Sequence, residues 1–278
     1  MKVAVFSDVQ GNSPALEVVL DHILSWNPDM AVMAGDLINR GPASRACLLR
    51  FEAMRRAHGW IPVRGNHEDW VLHCGRQPPR DPFEAEMRRF ADWTYRQIDD
   101  IESALHGWPD HLCFHGPGED DWVHVTHGTM AGNRDGISLS VTDQDLSGKL
   151  PDGIALFVTA HTHKPLKRRV RGTEILNVGS VGSPFDGDTR ASFGQIELVG
   201  GRWRTRIVRL AYDRTSAERD FHDSGFMEEG GPLARIVFEE WRRACLLMPT
   251  WHSEYRDAVR AGDLGLGAAV DQFLSRLD

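Results

Sequence analysis

Residues 30–42 read Met30-Ala31-Val32-Met33-Ala34-Gly35-Asp36-Leu37-Ile38-Asn39-Arg40-Gly41-Pro42. The first five are apolar, as in a short buried strand. The strand runs into Gly-Asp. That puts a carboxylate at the strand's C-terminal rim, where open α/β sheets place their sites. Taken alone, an Asp after a strand is most often a turn residue. Its companions elsewhere in the chain give Asp36 another reading.

Outward from this stretch, residues 2–7 form a second apolar run without helical period, ending in Ser7-Asp8-Val9-Gln10. Ser13-Pro14 opens a helix as cap and first-turn proline, Leu16, Val19, Leu20 and Ile23 mark its packed face, and Asn27-Pro28 ends it. A second helix follows Pro42 and stops at His58-Gly59. A third strand, Trp60 to Val63, runs into Arg64-Gly65-Asn66-His67-Glu68. Strand–helix–strand alternation predicts parallel strands with right-handed crossovers.

Residues 69–109 read as a helical insertion: a proline-rich loop, then two short helices with a break near Thr94, where Thr94 and Gln97 fit a capping box. It lies between site-bearing segments and is placed to wall a cleft. Trp70, Trp93 and Tyr95 either line that cleft or pack internally. His111–Phe114 and Trp122–Val125 form a hairpin around a turn containing Glu119 and Asp120, and the second arm ends at His127. Residues 130–152 are polar and irregular. Ile154 to Thr159 is a buried strand that exits into His161-Thr162-His163. Strands at 174–178, 193–199 and 203–210 read as an antiparallel meander, and the last sixty or so residues are helical. This divides the chain into a domain over 1–214 and a helical extension over 215–278. The extension's helices either cover the domain or pair two subunits.

Composition narrows the function. The 278 residues carry a net charge of −8, which counts against a general nucleic-acid binder and against a nuclease. The one basic cluster, Lys164 to Arg171, reads as a solvated face. No apolar run reaches the roughly 18 residues of a membrane span. The N-terminus enters a strand directly, without signal-peptide features, so a cytoplasmic location is expected. Four scattered cysteines, Cys47, Cys74, Cys113 and Cys245, form no Cys-x-x-Cys pair and read as buried free thiols.

Taken together, the strand exits carry Asp8 and Gln10, Asp36, Asn66 and His67, His127, then His161 and His163. Carboxylates, amide oxygens and imidazoles suit Mn, Fe, Zn or Ni better than Ca or Mg. His-x-His after a strand sets both imidazoles on one rim. Two divalent ions ~3.5–4 Å apart need a bridging carboxylate and ligands on both sides, and this set supplies them.

The pattern resembles the calcineurin-like metallophosphoesterase superfamily, whose motifs read Asp-x-His, Gly-Asp, Gly-Asn-His-Glu/Asp, His and Gly-His-x-His. The resemblance covers roughly residues 2–200. The opening from Ser7 to Glu17, and Asn177 to Gly182 with Asp186-Gly187-Asp188, are similar to a bacterial branch of small phosphoesterases. Gly35 to Pro42 and Arg64 to Glu68 also resemble protein phosphatases and diadenosine tetraphosphatases. The resemblance implies an α/β fold, a four-layer αββα sandwich of two mixed β-sheets flanked by helices. It implies one metal held by Asp8, Asp36 and His163, with Gln10 where the family has His, and another held by Asp36, Asn66, His127 and His161. It also implies hydrolysis of a small phosphorylated substrate, a phosphomonoester or phosphodiester, nucleotide-like ones included, by a hydroxide shared between the ions. His67 is then the leaving-group acid, and Arg40 and Arg64 bind phosphate oxygens.

The chain departs from the pattern at three places. Gln10 replaces a His ligand. Asn39 stands where protein phosphatases carry the Asp behind the catalytic His. Ala160 replaces a Gly. The first two leave open a second reading, a metal-bound regulatory or binding protein of the same fold with weak or no catalysis.

Overall fold

Val3 and Val5 point to one side of the first strand, Ala4 and Phe6 to the other, and all four are fully buried. The run does not alternate because both faces of its sheet are covered. The structure, a computed structural model, describes residues 1–118, 121–146 and 148–277. Glu119 and Asp120 of the expected hairpin turn lie outside the described residues.

The first half contains β1 (Lys2–Phe6), α1 (Ser13–Trp26), β2 (Met30–Ala34), α2 (Ser44–His58), β3 (Ile61–Val63) and α3 (Asn66–Arg76). Then come α4 (Pro82–Met87), α5 (Arg89–Ile98), β4 (His111–His115) and β5 (Trp122–Thr126). The second half contains α6 (Asp143–Leu146), β6 (Leu156–Thr159), β7 (Leu166–Val170), β8 (Thr173–Asn177), β9 (Ala191–Val199) and β10 (Arg202–Leu210). It closes with α7 (Arg214–Asp223), α8 (Phe226–Glu229), α9 (Leu233–Arg243), α10 (Met248–Ala261) and α11 (Leu266–Leu274).

One five-stranded sheet has the order β10-β9-β1-β2-β3 and the other β4-β5-β6-β8-β7. Each is mixed: β1, β2 and β3 are parallel, as are β5, β6 and β8, with antiparallel strands toward the edges. The sheets meet through Val5, Val32 and Val63 on one side and Val125, Val158 and Leu176 on the other. Outside the first sheet, α1 and α2 share one buried cluster with α7 to α11. Outside the second, Ile137 and Leu146 cover Phe157 and Ile175. This is the expected αββα sandwich. The parallel strands of both sheets end at the same edge, so their C-terminal loops meet there. Among the described residues, no helix is long and apolar enough to cross a membrane.

Several local expectations are corrected. The 174–210 strands are not one meander: β8 pairs with β6 in the second sheet, whereas β9 and β10 belong to the first. The basic cluster, by contrast, is the solvated face expected: it contains β7, hydrogen-bonded to β8, and Lys164, Lys167, Arg169 and Arg171 are exposed. The break in the insertion falls at Arg88, and Thr94 lies inside α5. Thr94 does not cap because its hydroxyl lies against Phe90 O and the Asn39 side chain. The Asn66-His67-Glu68 segment is the first turn of α3, closed by Glu68 Oε2 accepting from Gly65 N at 2.9 Å. Of the cysteines, Cys47 and Cys74 are buried, but Cys113 is exposed on the edge strand β4 and Cys245 is partly exposed.

Candidate metal centre

The loops after β1 and β2 are laced together by backbone bonds: Asp8 N, Gln10 N and Gly11 N donate to Gly35 O, Asp36 O and Leu37 O, each at 3.0 Å. Glu68, fully buried at the start of α3, accepts from Asp36 N (2.9 Å) and Leu37 N (2.8 Å). Sequence reading quoted Glu68 without a role. Its capping-box position was the available signal. Gly65 is required here, since a Cβ would lie 2.1 Å from Asp36 Oδ1. At Gly35, φ is +93° and a Cβ would lie 2.6 Å from His127 Nδ1.

These loops hold strained backbone. Asp8, Gln10, Asp36, Asn39, Arg40, His161 and His163 all have positive φ, between 49° and 72°. Such conformations cost energy outside glycine and gather at functional sites. No sequence pattern reports them.

Two donor groups result, each with ligand atoms within 4.8 Å of one another: Asp36, His127 and His161, and Asp8, Asp36 and His163. Asp36 is common to both. His127 Nε2 lies 3.3 Å from Asp36 Oδ2 and 3.1 Å from Asn66 Oδ1. The Nδ1 atoms of His127 and His163 face the backbone carbonyls of Ala34 and Ser183. A carbonyl at Nδ1 takes the ring proton there and turns the Nε2 lone pair inward. Phe185 stacks flat on His163, centroids 4.2 Å apart.

The donor set fits divalent cations on grounds of charge. Asp8 and Asp36 are essentially solvent-free, and Asp8 Oδ1 has no hydrogen-bond partner although it lies 3.2 Å from His163 Nε2. A buried unpartnered anionic oxygen is costly unless a cation meets it. Burial pushes the Asp36 carboxyl up, yet His127 and His67 hold it far below the usual carboxylate range. Burial pulls the His127 imidazole down, but Asp36 overcomes this and raises it to about 10. Metal binding at Nε2 competes with that protonation. His161 is pushed down by burial and by His127.

His67 Nε2 stands 3.8 Å from Asp36 Oδ2, and its Nδ1 lies 2.8 Å from the Asn39 amide. Burial pushes His67 down to about 3, Arg40 adding to the effect against the pull of Asp36. Thr94 Oγ1 has one hydrogen and two neighbours, Phe90 O at 2.9 Å and the Asn39 amide at 3.2 Å. Asn39 Oδ1 faces the Thr94 hydroxyl and its Nδ2 faces His67 Nδ1, so the amide donates there and the neutral ring keeps its proton on Nε2.

Gln10 reaches the same rim, but its Oε1 accepts from Arg40 Nε (3.1 Å) and its Nε2 faces His163 Nε2 (3.2 Å). Arg40 is ion-paired to Glu240 of α9, a buried carboxylate that also accepts from Leu247 N and Met248 N. Glu240 had no sequence signal, since it lies 200 residues from Arg40. A cavity of about 450 Å³ opens over Asp36, Arg40, His67, His161, His163 and Phe185. Arg64 is not among its lining residues: its guanidinium faces Asp69 (3.5 Å) and Leu105 O (3.3 Å). Trp70 lines an adjoining cavity. Trp93 instead packs on Phe226, and Tyr95 against Gly75 of α3. A cavity of about 560 Å³ lined by Arg169, Glu174 and Trp203 lies away from all these side chains.

Comparison with known proteins gives the same picture. A metallophosphoesterase from Sphaerobacter thermophilus superimposes with a TM-score of 0.69 at 24% identity, covering 88% of this chain and 99% of that one. A hypothetical protein from Pyrococcus horikoshii OT3 gives 0.73 at 15% identity with the same coverage. At these identities the likeness is one of fold. No curated protein matches the sequence. The family model for calcineurin-like phosphoesterases matches residues 1–165. With the donor groups of Asp and His lying within and at the end of that span, the chain belongs to the calcineurin-like phosphoesterases, a metal-dependent family of phosphoester hydrolases.

Proposed function

We propose that the protein hydrolyses phosphomonoesters or phosphodiesters of small substrates at a two-cation centre. Asp8, Asp36 and His163 hold one ion, and Asp36, Asn66, His127 and His161 the other. The observation that carries this reading is the sharing of Asp36 by two buried donor groups beneath an open cavity. Divalent cations of the Mn, Fe, Zn or Ni type bound there supply Lewis-acid stabilisation of phosphoryl oxygens and lower the pKa of water at the site.

The chain's own residues do the rest. His67 presents Nε2 to the leaving oxygen and supplies its proton, with Asn39 fixing the ring through Nδ1. Arg40, fixed from behind by Glu240 and from the side by Gln10, binds phosphate oxygens. With its Oε1 engaged by Arg40, Gln10 positions that arginine in this proposal and is not a metal ligand. Arg64, turned to Asp69, anchors the start of α3.

The test is direct. Metal content of the purified protein is measured, and hydrolysis of 4-nitrophenyl phosphate and bis(4-nitrophenyl) phosphate is followed with added Mn²⁺. Turnover that depends on metal is expected. Absence of turnover with both sites filled would overturn the enzyme reading in favour of a metal-bound regulatory protein.

A further inference from the structure

A second cavity, of about 440 Å³, lies between the helical insertion and the C-terminal helices. Arg40 lines both it and the cavity over the metal centre, so the two adjoin. Its walls reverse the sign of the protein. Arg80, Arg134, Arg256 and Arg260 come from three separate stretches of a chain whose net charge is −8. Arg80 is paired with Glu84. Arg134, Arg256 and Arg260 have no carboxylate partner among the described residues, and the remaining acid on the wall, Asp81, accepts from Glu84 N as a helix cap. Convergence of three such arginines on one hollow beside the metal centre concentrates positive potential there. Trp70 and Phe83 add flat apolar faces, with the Arg260 guanidinium 5.9 Å from the Phe83 ring.

We propose that this cavity is a second anion subsite, which takes a further phosphate group of a substrate whose scissile phosphate lies over the metal centre. The inference rests on the phosphoesterase reading above and names its substrate class: esters carrying at least one additional phosphate. Guanidinium groups bind phosphate through paired, charge-assisted hydrogen bonds, and Arg40, between the two cavities, contacts both ends of such a substrate.

The first test reads binding alone. Inorganic tripolyphosphate is titrated calorimetrically into the chelator-treated full-length protein at low salt, with the Arg134→Gln/Arg256→Gln/Arg260→Gln variant in parallel. The variant is expected to bind at least about tenfold more weakly, and equal affinity overturns the subsite. If circular dichroism shows that the triple variant is unfolded, Arg256→Gln alone is used with the same criterion. The result stands whether or not the protein turns over, so failure of the phosphoesterase reading remains distinguishable. The second test takes the ratio of kcat/KM for adenosine 3′,5′-bisphosphate to that for 4-nitrophenyl phosphate. The ratio is expected to fall at least about tenfold in the triple variant and to be unchanged in Arg169→Gln, on β7 away from both cavities. An unchanged ratio in the triple variant overturns the proposal. Comparison of tripolyphosphate with adenosine 3′,5′-bisphosphate in Trp70→Ala separates the two sources of phosphate: a nucleotide preference lost there assigns the flat faces to a base.

Discussion

Asp36 serves both donor groups because every atom around it is fixed. Its backbone is left-handed (φ 56°), its N–H is held by Glu68, and its Oδ1 accepts from His67 N at 2.8 Å. Its Oδ2 is thereby left facing His127. His67 neighbours this carboxylate without belonging to either donor group. His67→Ala is therefore expected to keep its metal and to lose more than about tenfold in turnover, the low end for an acid–base group. Parallel metal analysis and steady-state kinetics check this, and loss of metal would mean that His67 is a ligand. Asn39→Asp places a charge behind Nδ1 and favours the imidazolium that burial and Arg40 now disfavour. It is expected to raise turnover of alkyl phosphates, with their poor leaving groups, more than that of 4-nitrophenyl phosphate. Equal effects on the two would separate Asn39 from proton transfer. The residues of the two donor groups were legible in sequence because ligand chemistry restricts residue type at each strand exit. Glu68, Phe185 and Ser183 were not, because each acts through a hydrogen bond or a stacking contact that exists only after the loops meet.

At the scale of elements, α9 is tied to the loop after β2 by the Arg40–Glu240 pair. Removing one partner of a buried pair strands the other, and Glu240→Gln is expected to destabilise the protein by about 3 kcal/mol. Because Arg40 then loses its anchor, KM for phosphoesters is expected to rise as well. Denaturant titration and kinetics measure the two effects, and an unchanged KM would mean that Arg40 does not bind substrate. On β5, His124 is buried against Phe157 and His111, and burial, with His111 adding, pushes it down to about 4. Between about pH 4 and 6.5 the unfolded chain binds more protons than the folded one, so this contribution is complete above 6.5 and is lost as pH falls. His124→Phe keeps a stacking ring without the titration. The fall in Tm from pH 7.5 to pH 5 is expected to be smaller in that variant than in wild type, and an equal fall would place the acid sensitivity elsewhere. The helical periods and strand runs located most elements. The insertion's break was misplaced because Thr94 satisfies a capping pattern locally but finds better partners in Phe90 and Asn39 across the fold.

For the whole molecule, the meeting of two sheet edges concentrates buried carboxylates at one place, and cations that bind only the folded state must stabilise it. Mn²⁺ at about a hundred times its dissociation constant contributes about 2.7 kcal/mol. Chelator-treated protein is expected to melt at lower temperature and to recover with Mn²⁺. A Tm insensitive to both would mean that the donor groups do not bind metal. The extension beyond β10 belongs to the same buried cluster as α1 and α2, so its truncation would open the first sheet's outer face. The sequence by itself determined the parallel strands and the Asp and His residues at their exits, since hydrophobic period and metal chemistry are local constraints on residue type, and its motifs carried the resemblance that implied the αββα sandwich. Only the tertiary structure decided which strands share a sheet, and that Glu240 holds Arg40 from 200 residues away. It alone gathered unpaired arginines from distant segments into one cavity. These depend on distances between segments remote in the chain, which no local pattern encodes.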